Sequence, residues 1–142
     1  MNRISATLIF ILCVNSFSVS VFAWCDNYPD IQTDFSQNDL VFIGKVISEE
    51  KVHGKDEFFD GIYYEIKVTE AFKGKPMSPV TVFSENSSGR FSMEVGQDYL
   101  VFTSVQPQEY VNDSYAISNC GNSGKISEKQ TALLTLKKLL CK

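Results

Sequence analysis

The chain has 142 residues, 44% of them hydrophobic, and its 13 basic and 17 acidic side chains give a formal charge of −4. That length suits one domain with a single core, and the acidic balance disfavours partners presenting phosphate backbones or anionic lipid. The single histidine, His53, and the lack of any CxxC or CxxH spacing offer no sequence basis for a metal site or a Cys/His or Ser/His dyad, and no cofactor motif is evident.

At the N-terminus, Arg3 precedes an apolar run containing Leu8, Ile9, Phe10, Ile11, Leu12 and Val14, and the stretch ends in Val21-Phe22-Ala23. This pattern of a basic start, a short apolar core and a small-x-small end predicts an export signal over residues 1–23, cleaved after Ala23. Asn15 and Ser16 interrupt the apolar core before it could span a bilayer, so no membrane insertion is expected of the mature chain. Acylation of Cys25 is disfavoured by Phe22 and Trp24, which flank Ala23 where small residues are needed.

Removing 23 residues from 142 leaves 119, residues 24–142, as one domain. Arg3 is the only charge removed, so the mature chain would carry −5. Cys13 leaves with the signal, and Cys25, Cys120 and Cys141 remain. An oxidising compartment favours one disulfide among them, with three pairings open and one thiol left over, free or linking two chains.

In the polar segment 26–38, Ile31, Phe35 and Leu40 have the spacing of one face of a short helix. A first strand follows in Leu40-Val41-Phe42-Ile43-Gly44-Lys45-Val46-Ile47, with Gly44 marking a bulge or bend. Residues 49–60 are charged and include Gly54, with Gly61 just beyond, which predicts a hairpin loop. From Ile62 to Phe72 the pattern alternates: Ile62, Tyr64, Ile66 and Val68 on one face, Tyr63, Glu65, Lys67 and Thr69 on the other.

Lys73-Gly74-Lys75-Pro76 turns the chain into a third strand, Pro79-Val80-Thr81-Val82-Phe83. Asn86 to Gly89 reads as a loop, and Gly96-Gln97-Asp98 as the turn before a fourth strand, Tyr99-Leu100-Val101-Phe102-Thr103. Ser114-Tyr115-Ala116-Ile117 supplies a fifth. Five strands of this length predict a mainly β fold, a small closed or nearly closed barrel. A C-terminal helix is expected to start at Ser127, with Gln130 completing a capping box and Ala132, Leu133, Leu136 and Leu140 forming the apolar stripe.

These strands, the terminal helix and Cys25 ahead of Asp39-Leu40-Val41-Phe42-Ile43-Gly44-Lys45-Val46 resemble the netrin-like domains. Within them the chain is similar to the N-terminal domain of the tissue inhibitors of metalloproteinases and their bacterial relatives. Tyr64-Glu65-Ile66-Lys67-Val68, Phe72-Lys73-Gly74, Val95-Gly96-Gln97-Asp98-Tyr99-Leu100-Val101-Phe102 and Ile117-Ser118-Asn119-Cys120 carry the resemblance over most of residues 24–141. It implies a five-stranded OB-type Greek-key barrel with a short N-terminal helix and a C-terminal helix.

In the inhibitors a Cys-x-Cys opens the mature chain, and the amino group and carbonyl of its first cysteine clamp the target's zinc. Here Ala23-Trp24-Cys25 stands in that place, so only the second cysteine is present, and Ser88-Gly89-Arg90-Phe91 occupies the position of the missing cysteine's partner. The resemblance then pairs Cys25 with Cys120. Ser36 occupies the position from which a third bridge would reach Cys141, which leaves Cys141 unpaired or available for an intermolecular bond.

The function expected is a secreted or periplasmic protein-binding module without catalysis, using Trp24, Cys25 and His53 as its partner-binding edge. The alternative is a metalloprotease inhibitor acting through the Trp24-Cys25 edge. Catalysis by Asp56 and Glu57 has little support, because adjacent carboxylates on a loop carry no geometric promise. Nucleic-acid binding through Tyr63, Tyr64, Tyr99 and Phe102 is disfavoured by their strand positions and the chain's charge. Asn86-Ser87-Ser88 and Asn112-Asp113-Ser114 fit the N-glycosylation pattern in loops.

Overall fold

In a computed structural model describing residues 25, 27–53, 59–105 and 115–141, the apolar runs of the sequence become strands buried on two faces. Residues 1–23, expected to form an export signal, and Trp24, Asp56, Glu57 and the tripeptide at 112–114 lie outside the described residues. The elements in chain order are α1 (Ile31–Gln37), β1 (Leu40–His53), β2 (Phe59–Lys73), β3 (Val80–Glu85), β4 (Asp98–Val105), β5 (Tyr115–Ala116), β6 (Gly124–Lys125) and α2 (Gln130–Leu140).

The fold is mainly β, and its pairings close on themselves. The order runs β1-β2-β3-β5-β4, and β4 returns to β1, making a ring of five strands to which β6 adds along β4. All described pairs are antiparallel except β3 with β5, where Val82 opposes Tyr115 and Phe83 opposes Ala116. Thr103 fastens β4 to β5 by donating its hydroxyl to the Ala116 carbonyl.

Alternation sorts the core into two clusters. Phe42 and Val46 of β1, Tyr64 and Ile66 of β2, Val82 of β3 and Tyr99 and Val101 of β4 pack together. The alternate residues Val41, Leu100 and Phe102 turn to the opposite face and are covered by Ile31 and Phe35 of α1 and by Ala132 and Leu136 of α2. Two-faced burial is why the first and fourth strands read as unbroken apolar runs while β2 alternates. Each fully buried side chain of this size contributes roughly 1.5–3 kcal/mol from water transfer.

Gly44 marks the irregularity expected of it. The β1–β2 register slips between Ile43 and Gly44, leaving Thr69 as the extra residue, and its hydroxyl donates to the Ile43 carbonyl at 3.1 Å. A Cβ on Gly44 would meet Ile66 Cγ2 at 2.6 Å and the Lys67 carbonyl oxygen at 2.9 Å, so close passage of the two backbones demands glycine.

Four expectations need correction. The first strand does not end near Ile47: β1 runs to His53, with Glu49 opposite Tyr64, Glu50 opposite Tyr63 and Lys51 opposite Ile62, so charged residues extend a paired strand on which they themselves stay exposed. The capping box is absent, because Gly124 and Lys125 pair with β4 and the following turn takes up Ser127. Helix α2 starts at Gln130, whose amide donates to the Ile126 carbonyl at 2.7 Å. Leu140 is 47% exposed, and Leu40 packs with the first cluster as part of β1 and not on the α1 face.

Candidate functional site

The disulfide joins Cys25 to Cys120 across 95 residues, with Cα atoms 5.5 Å apart. This is the pairing that the resemblance implied, and Cys141, exposed at the C-cap of α2, is free. In the chain-entropy model, closing a loop of that length stabilises by roughly 4–5 kcal/mol.

Just inside the bridge, Asp30 caps α1. Its carboxylate accepts from the Thr33 backbone N–H at 2.8 Å and from the Thr33 hydroxyl at 3.1 Å, and these bonds, the backbone one foremost, hold its pKa below the ordinary aspartate value. One turn on, Asp34 is buried. Its Oδ2 accepts from the Asn122 backbone N–H at 2.6 Å and side-chain amide at 2.8 Å, while its Oδ1 accepts from the Asn38 amide at 2.7 Å. The Asn122 amide also donates to the Pro29 carbonyl at 3.0 Å. The segment before α1 is therefore fixed to the segment after Cys120 by a covalent bond and a buried polar network.

From this anchor a rim of backbone contacts leads to the β1–β2 hairpin. Asn119 donates its N–H to the Gly89 carbonyl at 3.0 Å and its side-chain amide to the Ser88 carbonyl at 3.3 Å. Asn86 in turn donates its N–H to the Asp60 carbonyl at 2.8 Å, and beside Asp60 Phe59 pairs with His53. Of the residues singled out in the sequence, Cys25, Ser88 and exposed His53 thus sit on segments tied in series. β4 stops pairing with β1 at Lys45 opposite Asp98 while β1 continues eight residues further along β2, which itself stays paired with β3 as far as Gly61 opposite Glu85.

Between α1 and the ends of β3, β4 and β5 lies a half-open cleft of about 620 Å³. Phe83, Phe102 and Ile117 supply apolar lining, and Asp34, Asn38, Glu85, Ser104 and Ser118 are among its polar groups. Sequence reasoning missed this cleft entirely, since its lining comes from four separate stretches of chain with no local signature.

Among the described residues, no group of three His, Cys, Asp or Glu side chains is placed to hold a metal ion, and no helix is long and apolar enough to cross a membrane. The chain matches no family model and no curated protein sequence.

Proposed function

We propose that the chain is an exported, netrin-like protein-binding module without catalytic activity, built on an OB-type barrel. The observation that carries this reading is the rim running from the Cys25–Cys120 bridge through residues 86–89 to the β1–β2 hairpin, an edge made of separate chain segments. A ring of five strands ordered β1-β2-β3-β5-β4 supports an OB-type reading, since that fold is a five-stranded Greek-key barrel. The apolar N-terminal segment and the disulfide favour a secreted or periplasmic setting. The fold alone does not assign the activity, so the proposal rests on the rim.

The test is site-specific photocrosslinking of the exported protein in its native host, with the crosslinker at His53, at Ser88 or at Lys138 on the far end of α2. The binding-module reading expects the same protein adduct from the first two sites and none from the third. Adducts from none of the sites, or equally from all, would sink it. Zinc proteases assayed with the protein in molar excess separate the two versions of the reading: retained activity supports a plain binding module, and stoichiometric loss supports inhibition through the Trp24-Cys25 edge.

A further inference from the structure

We propose that the cleft between α1 and the ends of β3, β4 and β5 receives a basic side chain, arginine or lysine, presented by a protein partner. The chemistry rests on the lining of the cleft. Only the identity of the presenter rests on the protein-binding reading.

The cleft is amphipathic in the way such a side chain is. Phe83, Phe102 and Ile117 are buried residues that offer apolar and aromatic surface to an aliphatic stem or a guanidinium face. Around them stand groups that accept hydrogen bonds: the hydroxyls of Ser87, Ser104 and Ser118 and the carboxylate of Glu85. Glu85 is exposed at the end of β3 and, among the described residues, takes part in no ion pair.

The opposite wall carries Asp34. All three of its hydrogen-bond donors are amides, which orient the carboxylate but bring no compensating cation. Among the described lining residues there is no Lys, Arg or His, so two carboxylates face the same space without a basic side chain between them. An anionic ligand would meet repulsion there, and a neutral apolar one would desolvate the Glu85 carboxylate without supplying a counter-charge. A cation on a flexible stem satisfies both the floor and the walls.

The experiment titrates N-acetyl-arginine amide into the isotopically labelled mature protein and follows backbone amide shifts. Saturable shifts are expected at Thr33, Gly89, Ser104, Ser118 and Gly121, with N-acetyl-lysine amide acting at the same residues. The uncharged isostere N-acetyl-citrulline amide should bind at least about fivefold more weakly, and Glu85→Gln should weaken arginine binding about three- to fivefold. Glu85 is a surface residue, so an otherwise unchanged spectrum of that variant certifies its fold. Absence of saturable shifts, equal binding of citrulline and arginine, or unchanged affinity in E85Q would each overturn the proposal. Those outcomes leave the crosslinking result at His53 and Ser88 untouched, so failure of the cleft and failure of the binding rim are told apart.

Discussion

Asn122 holds Asp34 with two donors at once, its backbone N–H at 2.6 Å and its side-chain amide at 2.8 Å, across 88 residues of sequence. Short bonds to a carboxylate are the strong kind, and removing the acceptor would cost three half-buried donors their bonds to it. Asp34→Ala is therefore expected to cost about 3 kcal/mol. Asn122→Ala keeps the backbone bond and should cost about half as much. Urea midpoints at constant slope measure both, and a D34A protein as stable as the parent would show that water replaces the network at no cost.

How far the sequence reveals this fold follows from the range of the interactions. Ile62, Tyr64 and Ile66 could be read as one buried face because period-two burial is written along a single strand. Residues 48–53 could not, since what makes them a strand is pairing with residues 59–65, and their charged side chains face water at the far end of β1. The two-residue β6 and the displaced start of α2 depend on an edge of β4 that local sequence cannot report. The cleft and the Asp34–Asn122 link lay further still from view. Each joins residues 27–38 to residues 116–122, far apart in the chain.

Gly61 offers a check on the close packing of β2 against β3. A Cβ built there would lie 2.3 Å from the Phe83 ring and 2.7 Å from the Ser84 carbonyl oxygen; that ring also lies 4.9 Å from the Tyr63 ring, tilted by 44°, and Phe83 lines the cleft. Gly61→Ala should thus destabilise by about 1–3 kcal/mol through overpacking, with shifts in the near-ultraviolet circular dichroism of the aromatic pair. Gly96→Ala meets nothing within 4 Å, and its cost comes only from a backbone φ of 87°. The order of thermal midpoints, G61A below G96A, is the readout, and the reverse order would refute the packing account.

Tyr64 links stability to alkaline pH. Its hydroxyl accepts from the Met93 N–H at 3.2 Å in a buried setting, and burial pushes its pKa above the ordinary tyrosine value of 10.0. The folded chain therefore keeps this proton where the unfolded chain loses it. The contribution is full below about pH 10 and declines as pH rises from there through the folded pKa. Tyr64→Phe should lower stability at neutral pH by about 1–3 kcal/mol, because Met93 loses its acceptor. The same variant should flatten the alkaline decline, and an unchanged slope in its pH profile would count against the assignment to Tyr64.

Intact mass and non-reducing peptide mapping of the protein recovered from its native host test the N-terminal edge directly. The expected product begins at Trp24, carries the Cys25–Cys120 bond and leaves Cys141 free or in a dimer that Cys141→Ser abolishes. Cys25→Ser with Cys120→Ser should lower stability by roughly 4 kcal/mol, whereas C141S, at an exposed helix end, should leave it unchanged. A start at Trp24 would separate this chain from zinc clamping by an N-terminal cysteine, because the first amino group would belong to tryptophan and the nearest cysteine sulfur would already be bonded. A start at Cys25 with a free amino group would instead put a cysteine amine and carbonyl on the rim beside Cys120, and the inhibitor reading would then take precedence over the plain binding module.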